Sequence, residues 1–315
     1  MALYLSRADI QQFVSMADAM EVMEQSFARW GRDYAFNLER RRIPRQNGKE
    51  LNILAGMAPG GDMMGVRASG TKFNNVMMLF SEKEGGLACV MECGPISEYR
   101  TGAASGVATK YLARENATVL GVIGAGRTAF PQIEAVCVAR KIDLIKIFVR
   151  TEESRIAFAQ EVQEKLGIRT EAVASAQACV ADADIAITST SAKDPVLLGK
   201  WVKPGLHINA IGANNLKRRE IDDEAVLRAD IVAIDHREQG QIEAGAIVPL
   251  VAVGKMSWNK VSELGEIVQK TRPRRTSDEQ VTLFHSLGLG FEDVSYGEAI
   301  YHRAKAAGLG KQLRQ

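Results

Sequence analysis

The chain has 315 residues, of which 46% are hydrophobic and 25% charged, and a formal net charge of +2. That length suits two domains rather than one, the composition is that of a soluble globular protein, and the near-neutral balance gives no electrostatic reason to bind nucleic acid or an anionic membrane. Four cysteines, Cys89, Cys93, Cys137 and Cys179, exclude a disulfide framework and a zinc site, and fit reduced core residues of a cytoplasmic protein.

The opening stretch MALYLSRADIQQF has no long apolar core, and no apolar run approaches the ~20 residues that cross a bilayer. Ser6 is a fitting N-cap for a helix through Gln11, Val14 and Met16; Ser15 or Asp18 suits a second one with Met20, Met23 and Phe27 on one face. A basic cluster follows, Arg40-Arg41-Arg42-Ile43-Pro44-Arg45, readable as a solvated charge run or as part of a site. Residues 51–57 form an apolar strand ended by Ala58-Pro59-Gly60-Gly61, and 64–73 form another. In the latter, period two puts Arg67, Ser69 and Thr71 on one face and Lys72 on the other. Residues 76–80 and 87–91 flank Glu82-Lys83-Glu84-Gly85-Gly86, a hairpin signal. The first part of the chain therefore reads as helices followed by an antiparallel sheet. A helix then opens at Glu98 and runs to about Arg114.

Next comes VLGVIGAGRTAFPQ at 119–132. It reads as strand, tight glycine turn and helix start. Gly124 takes the turn geometry, Gly126 lets a pyrophosphate approach the backbone, and Ala129 stands where a third glycine usually sits. Phosphates would rest on the N–H groups at the helix start. A structural glycine turn is the plainer alternative, but a second apolar run at 144–149 follows at βαβ spacing and favours dinucleotide binding. That second strand ends in Arg150-Thr151, with no acid at its tip. NAD-preferring domains carry an Asp or Glu there, so Arg150 and Thr151, with Arg127 from the turn, weakly favour NADP over NAD. Glu152 and Glu153 are the counterargument. Further strands at 171–173, 185–188, 207–212 and 231–234 alternate with helical stretches. The fold class is thus α/β: a Rossmann doubly wound parallel sheet plus an α+β domain.

Four segments, RTGAASGVATKYLAR (100–114), VIGAGRTAFPQ (122–132), PGLHINAIGANNLKRREID (204–222) and FHSLGLGFED (284–293), resemble the ornithine cyclodeaminase/μ-crystallin family in order and over nearly the whole chain. The resemblance implies a homodimer, with a substrate and dimerisation domain at 1–113 completed by 293–315, a Rossmann domain at 114–292, and an active site in the cleft between them. It implies hydride transfer between a nicotinamide and the α-carbon of an amino or imino acid. Cofactor contacts are implied at Thr101, Gly124, Ala125, Gly126, Arg127, Thr128, Gln132, Arg150 and Thr151, and further along at Thr190, Ser191, Ile211, Gly212, Ser286 and Gly288. The family's carboxylate-binding arginines fall on Arg100 and on Arg42, with Arg45 as runner-up for the latter. Its strand lysine aligns with Arg67, with Lys72 nearby on the opposite face. A lysine there can donate a proton, whereas an arginine serves better as a clamp.

Two departures bear on the substrate. Cyclodeaminases carry an aspartate just after the HINA-h-G strand; Asn214 stands there, and an amide is no base near neutral pH. They also carry a glutamate where this chain has Ala55. Cyclodeamination, and a nucleotide-binding role without turnover, are therefore the lesser readings. Arg42, Arg45, Arg67, Lys72 and Arg100, with Asn75 and Asn214, instead suggest an enzyme reducing a small imino acid to an amino acid, or running the reverse dehydrogenation. The surplus of positive charge points to a second carboxylate, as in iminosuccinate; a cyclic ketimine or iminopropionate fits if Arg67 points away. Among the histidines, His207 reads as strand core, His236 lies after a strand, and His285 precedes the segment set against the nicotinamide in the family.

Overall fold

A computed structural model describes residues 2–44, 46, 50–70 and 73–313. The chain divides into two compact units, Met1–Thr101 with Gly288–Gln315, and Gly102–Leu287. Of the boundaries read from the sequence, 113 lies just past the end of one long helix and 293 lies inside another.

In the first unit β1 (Ala2–Leu5), α1 (Arg7–Gln11) and α2 (Met16–Arg29) precede β2 (Phe36–Pro44), β3 (Glu50–Met57), β4 (Met63–Gly70), β5 (Phe73–Ser81) and β6 (Gly86–Met91). Ser6 and Ser15 cap the two helices, accepting from the N–H groups of Asp9 and Asp18. The first helix stops at Gln11, short of Val14 and Met16, because Ser15 already starts the next. The long helix α3 (Gly94–Leu112) starts four residues before Glu98, since Pro95 is tolerated in a first helical turn.

Strands β2 to β6 pair antiparallel in sequence order. The sheet is nevertheless mixed, which corrects the expected all-antiparallel one: β1 joins β6 in parallel. Strands of three and four residues carry too little alternation to be read from sequence. Arg40 to Arg42 of the basic cluster belong to β2.

The second unit contains β7 (Val119–Ile123), α4 (Ala129–Ala139), β8 (Leu144–Phe148), α5 (Glu152–Leu166), β9 (Arg169–Ala172), α6 (Ala176–Val180), β10 (Ile185–Thr188) and β11 (His207–Ala210). It continues with α7 (Asp223–Leu227), β12 (Ile231–Ile234), α8 (Arg237–Glu243), α9 (Val248–Ala252), β13 (Val261–Glu263), α10 (Leu264–Val268) and β14 (Thr282–His285). The chain then returns to the first unit as α11 (Gly290–Ala306) and β15 (Lys311–Leu313), the latter pairing antiparallel with β1.

All pairings in the second sheet are parallel, in the order β13-β12-β14-β11-β10-β7-β8-β9. Parallel strands need cover on both faces. One face packs against Ile133, Val136, Phe158 and Val162 of α4 and α5; the other packs against Val180, Val226 and Leu250 of α6, α7 and α9. The strand order reverses between β7 and β10, so a crevice opens outside their carboxyl ends. Among the described residues, no helix is long and apolar enough to cross a membrane, and no group of His, Cys, Asp and Glu is placed to hold a metal ion. Burial pushes all four cysteine thiols up to about 12, so none supplies a thiolate near neutral pH.

Candidate active site

The sequence-predicted residues form two groups, one in each unit. In the first unit, α11 packs across β3 and β4. The approach is close enough to demand glycine on both sides. A Cβ on Gly56 would lie 2.5 Å from the Phe291 nitrogen, and one on Gly290 would lie 2.2 Å from the Ala55 oxygen. Phe291 is fixed by the edge of Phe27 at 5.5 Å and by stacking on Trp30 at 4.5 Å. The first turn of α11 therefore holds Glu292 and Asp293 firmly over the buried face of β4, where their charges also suit the helix N-terminus.

These two acids were not singled out from the sequence, and they meet both principal arginines. Asp293 accepts two hydrogen bonds from Arg67 Nη1, at 3.1 and 2.8 Å, and one from Arg100 Nε at 2.7 Å. Glu292 accepts from Arg100 Nη1 at 2.6 Å. All four side chains are buried. Burial disfavours the Asp293 carboxylate, but Arg100 and Arg67 outweigh it and hold the group below the usual carboxylate range. Burial likewise works against the Arg100 cation, and Asp293 and Glu292 more than compensate. Two guanidiniums thus face two carboxylates and the cluster is charge-balanced. Arg100 Nη2 has no hydrogen-bond partner among the described residues.

The other candidates of this unit surround that cluster unevenly. Gly288 lies under Arg100: a Cβ there would sit 2.7 Å from Nη1, and its φ of 76° favours glycine. Its carbonyl accepts from Arg40 Nη2 at 2.9 Å, so Arg40 of the basic cluster reaches inward. Arg42 pairs with Glu50 at 3.3 Å, and Arg41 is exposed. Asn75 is half-buried on β5, two residues from Met77, the register partner of Arg67, and shares its face. The Thr101 hydroxyl donates to the Ser97 carbonyl at 2.7 Å. Arg45 and Lys72 lie outside the described residues.

In the second unit, the glycine turn sits at the strand-order reversal. Gly124 has φ 111°, and a Cβ on it would meet the Ser189 carbonyl at 2.3 Å. Gly126 is exposed, with nothing nearer its Cβ position than that same carbonyl at 3.7 Å. Thr128 precedes α4 but does not cap it; its hydroxyl pairs with that of Ser189 at 3.0 Å. The N-terminal N–H groups of α4 therefore carry no side-chain cap. A glycine-lined approach, an uncapped helix start and a crevice at the reversal fit a dinucleotide pyrophosphate. Ala125 is half-buried, Gln132 is buried under the first turn of α4, and Arg127, Arg150 and Thr151 are exposed at the tips of β7 and β8.

One residue organises the next two strand tips without having been foreseen. Glu220 is buried, and its carboxylate accepts from Thr190 N and Oγ1 at 2.6 and 2.7 Å, from Thr188 Oγ1 at 3.0 Å, and from Gly212 N at 2.5 Å. Burial raises its pKa, against the pull of those hydrogen bonds. Its signal was the glutamate within LKRREID, overlooked beside its basic neighbours. Ser191 is exposed beyond Thr190, Ile211 is buried, and Asn214 is half-buried after β11. Ser286 donates to Asp235 at 3.3 Å. His207 and His285 are core residues of β11 and β14, held neutral by burial, with pKa values lowered to about 3 and about 4. His236 caps α8 by accepting from Gln239.

The model of the ornithine cyclodeaminase/mu-crystallin family matches residues 2–308. A Δ(1)-pyrroline-2-carboxylate reductase of Bacillus cereus is 36% identical over 241 residues, 76% of this chain and 74% of its own. The Thermococcus litoralis Δ(1)-pyrroline-2-carboxylate reductase, solved with NADH and L-proline, superposes with a TM-score of 0.94 at 31% identity, covering 99% of this chain and 100% of that one. The iminosuccinate reductase of Paracoccus denitrificans, solved with NAD+, gives a TM-score of 0.91 at 27% identity, covering 100% and 99%.

Proposed function

The chain belongs to the ornithine cyclodeaminase/mu-crystallin family, and on that premise we propose that it is an NAD(P)H-dependent reductase of a small imino acid bearing one carboxylate. A cyclic imine of the Δ(1)-pyrroline-2-carboxylate type is the substrate we favour. The observation that carries this reading is Arg100. Its Nε and Nη1 are committed to Asp293 and Glu292, its orientation is fixed by burial, and Nη2 is left to donate. A guanidinium held in place before substrate arrives binds a carboxylate without an ordering cost at that moment.

The same cluster lowers the case for a dicarboxylate. The surplus positive charge at Arg67 and Arg100 is matched by Asp293 and Glu292. What supports the iminosuccinate alternative is the likeness to the Paracoccus enzyme and the inward reach of Arg40.

A bound nicotinamide supplies the hydride. The chain supplies position: Gly124, Gly126 and the uncapped start of α4 for the pyrophosphate, and Arg100 for the substrate carboxylate. Arg150, Thr151 and Arg127 favour a 2′-phosphate on the cofactor. Arg67 serves as the electrostatic partner of Asp293 rather than as an acid, the role a guanidinium fills better than a lysine. Asn214 hydrogen-bonds without acting as a base, which suits imine reduction and not the addition of water to carbon. The chain works as a homodimer, and light scattering tests that.

The experiment is nicotinamide absorbance with Δ(1)-pyrroline-2-carboxylate, with pyruvate plus methylamine, and with oxaloacetate plus ammonia, beside an assay of proline and ammonia released from ornithine, whose cyclodeamination consumes no net cofactor. Oxidation with the cyclic imine ahead of the oxaloacetate mixture is expected. Ornithine turnover to proline at ~1–10 s⁻¹ overturns the proposal, and no turnover with any of them, despite cofactor binding, favours a binding protein.

A further inference from the structure

The parallel sheet has a second functional-looking edge. Residues 110–116 precede β7, Arg140 precedes β8, and residues 274–278 precede β14, so all lie at the amino ends of the strands. The glycine turn, Thr190 and Gly212 follow β7, β10 and β11 of the same sheet at their carboxyl ends, about 15 Å away along strands of this length. At the amino edge lies a cavity of about 730 Å³ lined by Lys110, Arg114, Arg140, Arg274 and Arg275, with only Glu115 and Asp278 as acids.

How those cations are held decides what the cavity can do. Arg140 donates to the carbonyls of Lys110, Ala113 and Arg114, and Arg275 to those of Leu112, Gln280 and Gly205. Together they close the C-terminal end of α3. Carbonyls satisfy guanidinium hydrogen bonds but do not neutralise the charge. Arg274 donates to the carbonyls of Ile267 and Val268 and lies 4.0 Å over the ring of Tyr111. Arg114 is ion-paired with Asp184, which also accepts from the N–H groups of Thr118 and Val119. Arg114 Nε is buried without a hydrogen-bond partner, and Nη1 of both Arg114 and Arg274 is uncommitted among the described residues. Burial and the proximity of Arg114 and Arg140 lower the pKa of Arg275 to about 10, in keeping with like charges crowded together.

We propose that this cavity is a binding site for a compact polyanion, a phosphate ester or a di- or tricarboxylate, separate from the cofactor crevice. A compact ligand suits a concave cavity of this volume. An extended polyanion would need a basic stripe longer than the five cations gathered here.

The test is isothermal titration of the full-length protein with pyrophosphate and with citrate, at saturating NADPH so that the cofactor's phosphate positions are already filled. Sodium chloride at matched ionic strength is the control. Saturable binding is expected, weakened at least tenfold by Lys110→Gln with Arg274→Gln, and weakened also by Ser277→Glu, which adds an acid at the exposed rim. NADPH affinity should be unchanged in each variant. Heats that chloride reproduces, or pyrophosphate affinity that neither the double variant nor Ser277→Glu alters, would overturn the site. Binding of citrate but not pyrophosphate, or the reverse, separates carboxylate from phosphate ligands.

Discussion

Arg67 Nη1 donates to both carboxylate oxygens of Asp293, at 3.1 and 2.8 Å, across 226 residues of chain. The pair ties the middle of β4 to the first turn of α11, and Arg100 Nε completes it from α3. Asp293→Asn leaves two buried guanidiniums with Glu292 alone. Removing one partner of a buried pair costs ~3–5 kcal/mol, so the urea midpoint at pH 7 should fall accordingly with an unchanged slope. The sign with pH follows from the lowered pKa of Asp293. Its contribution is full above the unfolded value of about 3.9 and is lost as pH falls through the folded one. The variant should lack that acid-dependent component; equal stability of both proteins at pH 7 would show that desolvation cancels the attraction.

Arg100→Lys keeps a charge beside Asp293 and Glu292 but removes the uncommitted Nη2. It should raise KM for the imino acid and lower kcat/KM by ~10²-fold, with NADPH affinity unchanged. Steady-state kinetics and cofactor titration on the same preparation check this. A near-normal KM would put the substrate carboxylate somewhere else.

What could be read in the sequence was mostly local. The glycine turn, the caps at Ser6 and Ser15, and the alternation that buries Arg67 and Ser69 depend on neighbours within a few residues, and the structure keeps them. The pairings of Arg67 and Arg100 with α11 join residues more than 190 positions apart, and no periodicity reports such a contact. An arginine viewed alone therefore looked like surplus charge. The basic cluster adjoins a β-bulge, which the register places between Leu38 and Arg41, so the facing of its arginines could not be counted from sequence.

Arg150→Ala tests the cofactor reading. The side chain is exposed at the tip of β8 and makes no hydrogen bond or ion pair among the described residues, so stability should hold. If it meets a 2′-phosphate, kcat/KM with NADPH should fall about tenfold, the ~1.4 kcal/mol of an exposed charge-assisted contact, while the NADH value barely moves. A tenfold preference of the unmodified enzyme for NADH would sink the reading before the variant is made.

The buried histidines predict acid sensitivity near neutrality. His207 and His285 have folded values lowered to about 3 and about 4, below the unfolded 6.5. The unfolded chain therefore takes up protons first as pH drops. Stability from these groups is full above about 6.5 and is lost on acidification, by ~1.4 kcal/mol per pH unit for each histidine until its folded value is reached. Chemical denaturation between pH 7 and 4.5 should show this slope, and His285→Gln should reduce it. A flat profile would mean that neither ring stays neutral in the fold. The kcat/KM profile should not follow either group, since neither touches the proposed substrate anchor.

Glu220 has no assigned chemistry, yet its carboxylate fixes the carboxyl-end tips of two strands, β10 and β11, at once. One oxygen takes Thr190 N and Oγ1; the other takes Gly212 N and Thr188 Oγ1. Glu220→Gln nearly preserves shape and removes the charge. Whichever way the amide turns, its NH2 faces a backbone N–H, of Thr190 or of Gly212. The threonine hydroxyls can rotate to accept, but a backbone N–H cannot. One strand tip must move, at a cost of ~1–3 kcal/mol for the lost hydrogen bond. If Thr190 and Gly212 border the cofactor, the cofactor Kd should rise about tenfold with the imino-acid KM at saturating cofactor nearly unchanged. A fold-supporting role alone would lower the melting temperature and leave both constants where they were. Fluorescence titration of NADPH beside a thermal melt separates the two, and an unchanged Kd in a destabilised variant would remove Glu220 from the cofactor site.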